Sequence, residues 1–299
     1  MPLDSANASD LIQKSGKSHH RTLWLSDTHL GTKTCQVDQL LSFLKNNTCD
    51  TLYLVGDIID GWKLKSKLYW PQSHTDVIRR ILTMAKRGTR IVFVTGNHDE
   101  FLRKYSNRQY GNIELVDEAC HTTADNKKLL VLHGDQFDDA TNAYSYLSKF
   151  FAYSYDDLIE ANIISNKLLA KVGLPTFTLP SIVKDKTKIS FINEYENWIA
   201  NTAQERGFNG VICGHIHHAQ NKEINGTQYL NCGDWVESCT ALAEDAQGNI
   251  RVIDWLSEAL PSRRVPAANE ESANPLELLA ELNGWASKDI LQKEAVVSI

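Results

Sequence analysis

The chain has 299 residues, 42% of them hydrophobic and 23% charged. That is ordinary globular composition, long enough to bury a full core as one large domain with an insertion or as two domains. A formal net charge of −6 argues against a general nucleic-acid coat protein, which needs a basic excess.

Residues 1–20 are polar, lack the apolar stretch of a signal peptide, and read as a disordered tail. From Arg21 onward, short apolar runs alternate with amphipathic periodicity. Residues 22–26 read as a buried strand, after which Val37, Leu40, Leu41 and Leu44 recur at helical spacing. The cycle repeats with a strand at 51–55, a helix carrying Val77, Ile78, Ile81 and Leu82 that stops at Gly88, and a strand at 90–94. Such alternation argues for an α/β sheet. Further strands are expected at 129–132, 210–213, 228–231, 240–243 and 250–255, the later ones joined by short Gly-containing turns, so the second half reads as more antiparallel. Residues 139–206 carry no strand run but long helical patterns broken by Gly173, Pro175 and Pro180, which reads as a helical insertion. The tail at 261–299 is polar, with one short helical pattern around 276–282. No run approaches the roughly 20 apolar residues that span a bilayer, so any membrane contact is expected to be peripheral. The cysteines, Cys35, Cys49, Cys120, Cys213, Cys232 and Cys239, lack CxxC spacing; this excludes a zinc ribbon and points to free thiols in a reducing cytoplasm.

Five of the strand candidates end in polar clusters: Asp27-Thr28-His29, Gly56-Asp57-Ile58-Ile59-Asp60, Gly96-Asn97-His98-Asp99, His133-Gly134-Asp135 and Gly214-His215-Ile216-His217. Ligands of open α/β sheets gather beyond the carboxyl ends of strands, so these loops are placed to converge. In an extended segment, residues i and i+2 point the same way, which would aim Asp27 with His29, and His215 with His217, to one side. Carboxylate, imidazole and amide-oxygen donors suit a borderline divalent metal such as manganese, iron or zinc. The adjoining Gly56, Gly96, Gly134 and Gly214 permit tight turns and close approach to the main chain. Taken singly, each cluster is as well explained by a helix cap or a turn. Their order, their strand-end context and their use of half of the ten histidines argue for a shared site.

Together these motifs, DTH, GDIID, GNHD, HGD and GHIH, resemble the signature of calcineurin-like metallophosphoesterases over about residues 21–255. The resemblance implies an α/β fold, a four-layer αββα sandwich spanning residues 21–260 with the helical cap insertion at 139–206. It implies two divalent ions, manganese as first choice with Fe2+ or Zn2+ as the others. One would be held by Asp27, His29, Asp57 and His217, the other by Asp57, Asn97, His133 and His215, with Asp57 bridging. His98 is implied as a non-ligand acid beside the phosphate, with Asp99 as its orienting partner. Two divalent cations against two ligand carboxylates leave the centre net positive, which recruits phosphate to an acidic protein.

Within that superfamily, residues 229–244 and 132–138 are similar to the UDP-2,3-diacylglucosamine diphosphatase-like branch, whose enzymes hydrolyse a nucleotide-sugar diphosphate in lipid A synthesis. One position departs: those diphosphatases have arginine where this chain has His98. The resemblance thus implies a cytoplasmic hydrolase, peripheral at the inner membrane, acting on a small-molecule or lipid-linked phosphate; a nuclease reading is opposed by the acidic balance and the lack of basic stretches with interleaved aromatics. The alternatives are another phosphomonoester, phosphodiester or nucleotide as substrate, or a non-catalytic scaffold. In the insertion, Tyr144, Leu147 and Phe151 share a helical face, as do Phe191, Ile192, Tyr195 and Ile199. These stripes either pack on each other and the sheet or line a groove for acyl chains, each buried methylene of which contributes about 0.8 kcal/mol.

Overall fold

The computed structural model describes residues 17–140 and 186–259. Strand β1 (Ser18–Leu25) starts inside the segment expected as tail and takes Ser18, His19 and His20 from it. It lies third in a seven-stranded sheet, parallel to the central strand β2 (Asn47–Val55), and the sheet continues through β3 (Arg90–Val94) and β5 (Ile113–Val116) in parallel. The edges are antiparallel: β4 (Arg108–Tyr110) beyond β5, and β11 (Thr240–Glu244) with β12 (Ile250–Asp254) beyond β1. A second sheet of five strands runs β6 (Glu118–Thr122), β7 (Lys128–Leu132), β8 (Gly210–Cys213), β10 (Thr227–Asn231) and β9 (Gln220–Ile224), with parallel pairing only among β7, β8 and β10.

Strand alternation divides the core into layers. Leu23, Leu25, Leu52 and Leu54 face outward from the first sheet onto α1 (Val37–Asn46) and α3 (Gln72–Lys86), which contribute Leu40, Phe43 and Leu44, and Val77, Ile81 and Met84. Their neighbours Trp24, Tyr53, Val55, Val92 and Val94 face inward and meet Leu129, Val131, Ile212 and Leu230 of the second sheet. The other face of that sheet, Leu130, Leu132, Val211 and Tyr229, is covered by Tyr195, Ile199 and Ala203 of α4 (Lys186–Glu205). The result is an αββα sandwich whose central strands are buried on both faces, which is why they read as continuous apolar runs. Each fully buried large side chain contributes about 1.5–3 kcal/mol.

Between the sheets, away from the strand ends that carry the polar clusters, the buried Glu244 accepts hydrogen bonds from Arg21 (2.6 Å), Thr22 (2.8 Å) and the Ala124 N–H (2.8 Å) and lies 3.0 Å from His121 Nε2. Burial alone would raise its carboxyl, but these donors hold it at about 2.

Three differences from the sequence reading have local causes. Trp255 opens a short helix, α5 (Trp255–Ala259), instead of ending the last strand, and packs edge-on against Phe43. The strands β4, β5, β6 and β9 and the helix α2 (Gly61–Ser66) are additional to the expected elements; β4 and β9 are sheet-edge strands of polar composition without an apolar run. The last part of the expected insertion, α4, is one layer of the sandwich, so its Tyr195 and Ile199 stripe packs on the sheet. The remainder of the insertion, with Tyr144, Leu147, Phe151, Gly173, Pro175 and Pro180, lies outside the described residues, as do residues 1–16 and 260–299. All the cysteines are free thiols, Cys120 exposed and the others buried. No described helix is long and apolar enough to cross a membrane.

Candidate metal centre

Strands β1, β2 and β3 of the first sheet and β7 and β8 of the second end on the same side, and each releases its polar cluster there. The backbone turns sharply as it leaves them. Asp27, His29, Asp57, His215 and His217 all have positive φ, between 46° and 70°. Left-handed backbone costs a non-glycine residue roughly 1–2 kcal/mol, and such strain concentrates at functional sites. The expected extended geometry of Asp27-x-His29 and His215-x-His217 is therefore not what aims these side chains; a left-handed kink at each ligand position does. Cross-links hold the kinks: the Asp27 N–H donates to the Gly56 carbonyl (3.1 Å) and the His29 N–H to the Asp57 carbonyl (2.9 Å). Gly56 adopts φ +73°, and a β-carbon there, or on Gly96, would collide with His133 or with the Asp57 carboxylate.

Three groups of close donor atoms result: two stand apart, and the third, His29 with Asp60 and His98, shares His29 with the first. Asp27, His29 and His217 converge, with His217 Nε2 3.2 Å and His29 Nε2 4.0 Å from Asp27 Oδ1. Asp57, His133 and His215 form the other, with His133 Nε2 3.3 Å from Asp57 Oδ2. Asp57 Oδ2 also lies 3.9 Å from His29 Nε2, so this carboxylate stands between the groups. Its other oxygen accepts the His98 N–H at 2.9 Å, which fixes its rotation. His133 Nδ1 donates to the Val55 carbonyl at 2.9 Å, turning Nε2 inward. Asn97 stands at the end of β3, its amide oxygen buried.

His98 lies beside the first two groups, its Nε2 4.0 Å from Asp57 Oδ2. Asp99, expected as its orienting partner, is placed otherwise: its carboxylate accepts the N–H groups of Gly96 (2.6 Å) and Ile58 (2.9 Å) and so clips the Asp57 and Asn97 loops together. The carboxylate that faces His98 is Asp60, with Oδ2 3.0 Å from His98 Nδ1 and 3.2 Å from His29 Nδ1, while its Oδ1 caps α2 through the Lys63 N–H at 2.8 Å. Asp60 is the second acid of the Gly56–Asp60 cluster, a spacing visible in the sequence but given no role there. The Trp62 ring covers His98 with centroids 4.2 Å apart.

Burial opposes every charge in the centre. It would raise the carboxyls of Asp27 and Asp57, yet the facing imidazoles, His217 and His133 respectively, hold both below the usual carboxylate range. It would lower the imidazoles, yet Asp60, Asp57 and Asp27 push His29 up to about 10, and His133 and His217 rise through Asp57 and Asp27. Asp99 moves the other way: burial, reinforced by Asp57, raises it to about 6.

The donor set fits divalent cations. Asp27 Oδ1, His29 Nε2, Asn97 Oδ1 and His133 Nε2 are buried polar atoms that make no hydrogen bond. Native interiors rarely tolerate such atoms without a partner, and each is a lone-pair donor of the kind a borderline metal takes.

The chain belongs to the calcineurin-like phosphoesterase family, whose sequence profile matches residues 20–219. It is a metal-dependent phosphoesterase, a hydrolase. Among curated relatives it is similar to the UDP-2,3-diacylglucosamine hydrolase of Chromohalobacter salexigens, at 26% identity over 72% of this chain and 88% of the relative. The enzyme of the same name from Stenotrophomonas maltophilia is also 26% identical, over 76% of this chain and 96% of the relative. Among solved structures, a phosphoesterase from E. coli aligns with a TM-score of 0.39 and 12% identity, over 78% of this chain and 98% of that one.

Proposed function

We propose that the centre binds two divalent ions and hydrolyses the diphosphate of a UDP-2,3-diacylglucosamine-like nucleotide sugar. The observation that carries the two-metal part is the set of four buried, unbonded donor atoms arranged on both sides of Asp57. Asp27, His29, Asp57 and His217 would hold one ion and Asp57, Asn97, His133 and His215 the other, and the carboxylate, imidazole and amide donors favour manganese, with iron(II) or zinc as alternatives. The substrate class is supported by relatives of that name, 88% and 96% of whose lengths align with this chain.

When bound, the two ions supply Lewis-acid polarisation of phosphate oxygens and lower the pKa of a water from 15.7 to about 7. The protein's own groups do the rest. Asp57 Oδ1 is committed to the His98 N–H, so only Oδ2 points between the two donor groups. Asp60 faces Nδ1 of His98, leaving Nε2 as the atom turned toward the centre. As water forms the new bond to phosphorus and the bond to the leaving oxygen breaks, His98 Nε2 donates a hydrogen bond or proton to that oxygen. General acid assistance of this kind contributes typically 10²–10⁴-fold.

The test is a substrate profile of manganese-, iron(II)- and zinc-loaded protein on an acylated UDP-sugar, the same sugar without acyl chains, a phosphomonoester and an activated phosphodiester. The reading requires the highest kcat/KM on the acylated UDP-sugar, with UMP and an acylated sugar phosphate as products. A higher kcat/KM on the monoester or on the deacylated sugar would overturn the substrate assignment.

A further inference from the structure

The two donor groups draw on both sheets, so the distance between the sheets at this end decides whether the donors can share ions. Asn231, the last residue of β10, is fully buried, and both atoms of its side-chain amide are taken up by main-chain partners. Its Nδ2 donates to the Gly214 carbonyl at 2.8 Å, and its Oδ1 accepts the Gly233 N–H at 2.9 Å.

Both partners lead straight to ligand positions. The Gly214 carbonyl also accepts the Ile216 N–H at 2.9 Å, closing a three-residue turn around His215, whose φ is 70°. A γ-turn of that hand is rare and strained, so an added donor on its carbonyl stabilises a conformation the chain would otherwise leave. The Gly214 N–H donates to the His133 carbonyl at 3.0 Å, and the His215 N–H to Asp27 Oδ2 at 3.0 Å. On the other side, the Gly233 carbonyl accepts the Ser26 hydroxyl at 2.9 Å, and the Trp235 N–H donates to the Asp27 carbonyl at 3.0 Å. A continuous path therefore runs from Ser26 and Asp27 on the first sheet through Gly233 and Asn231 to Gly214 and His215 on the second.

We propose that Asn231 is a positioning residue, a strut that holds the Asp27 segment and the His215 turn at the separation two ions require; this rests on the two-metal reading above. It acts through Gly214 and Gly233 and not by touching an ion. Residues that orient metal ligands from behind typically change metal affinity or activity 10–100-fold when replaced.

Asn231→Asp is nearly isosteric and keeps the acceptor for Gly233, but sets an oxygen against the Gly214 carbonyl, breaking the strut in the middle. Ser26→Ala removes its far end with one small atom group, and serves should the first variant fail to fold. Both variants and the parent are stripped, then titrated with manganese while affinity, stoichiometry and electron paramagnetic resonance are recorded, and the melting temperature of the metal-free proteins is measured. The strut requires 10–100-fold weaker manganese binding and loss of the spin-coupled two-ion signal in a folded variant. Parent-like affinity and coupling, with only a lowered melting temperature, would make Asn231 a merely structural residue and overturn the proposal. A parent that binds fewer than two ions would overturn the two-metal reading and the strut together, a result recognisable before any variant is compared.

Discussion

Asp60→Asn changes one buried carboxylate oxygen to an NH2 group at constant shape, and the geometry leaves the amide no satisfactory arrangement. Oδ1 takes the Lys63 N–H at 2.8 Å, while Oδ2 stands 3.2 Å from His29 Nδ1 and 3.0 Å from His98 Nδ1. If the amide oxygen stays on Lys63, the NH2 group faces both imidazoles, which must then accept at Nδ1. Each neutral ring would carry its proton on Nε2, and His29 would lose the lone pair it offers an ion. If the amide turns over, NH2 meets the Lys63 N–H; the cap of α2, typically worth about 1 kcal/mol, is lost and a neutral oxygen replaces the charged one beside His98. Either way metal affinity should fall about 10–100-fold, which at 1.4 kcal/mol per decade is about 1.4–2.8 kcal/mol. In the turned-over arrangement, where the amide oxygen takes the His98 proton at Nδ1, turnover of substrates with poor leaving groups should fall further, within the 10²–10⁴ range of lost acid assistance. Metal titration, a melting curve and kcat on paired poor and activated leaving groups read these effects separately. Parent-like affinity together with parent-like leaving-group dependence would refute the claim that Asp60 governs both imidazoles.

Asp57→Ala should abolish activity and release both ions, because its carboxylate stands between the two groups; two tightly bound ions per chain by elemental analysis would show that it does not bridge. His98→Ala should keep its metal but lose two or more orders of magnitude in kcat on poor leaving groups and less on an activated ester, and loss of metal would reassign His98 as a ligand. Metal binding should expel protons, since His29 is held at about 10 and His133 and His217 are raised above 6.5. Affinity should therefore rise with pH between about 6 and 8, and a flat profile would contradict the imidazole–carboxylate pairing. The raised His29 value stabilises the metal-free fold fully below the unfolded 6.5 and loses that contribution as pH climbs through about 10, so the melting temperature should fall over that interval; a rising one would refute the pairing.

The central strands are legible because burial on both faces makes them apolar over most of their length: 90–94, apolar after the exposed Arg90, and 210–213 match the expected ranges to the residue. Edge strands escape for the opposite reason. β9 reads Gln-Asn-Lys-Glu-Ile and owes its conformation to pairing with β10, a partner that periodicity within the segment does not reveal. The polar clusters are legible as strand-end chemistry only together, since each alone reads equally well as a cap or a turn, whereas five in order at the ends of apolar runs do not. Which carboxylate serves which imidazole is not legible, because it depends on how loops from different strands cross: Asp99 follows His98 directly in the chain but turns back to Gly96 and Ile58, while Asp60 arrives from the preceding loop.

Alternation along an extended segment selected Asp27 with His29 and His215 with His217, yet the fold brings these residues together by left-handed backbone at every one of them. That difference bears on how the site is held. Extended ligands would be kept in place by the sheet ladder itself, whereas kinked ones relax unless their peptide groups are restrained from outside. The restraints are on view: the Gly56 and Asp57 carbonyls for Asp27 and His29, the Asp27 carboxylate for the His215 N–H, and the Asn231 amide for the Gly214 carbonyl. At roughly 1–2 kcal/mol for each of five kinked residues, the strain is comparable to the whole stability of many domains, so the cross-links between loops must be as much a part of the centre as the atoms that face it. A residue such as Asn231, silent as a ligand and buried behind the turn, is where a centre of this construction depends on sequence that ligand motifs do not reveal.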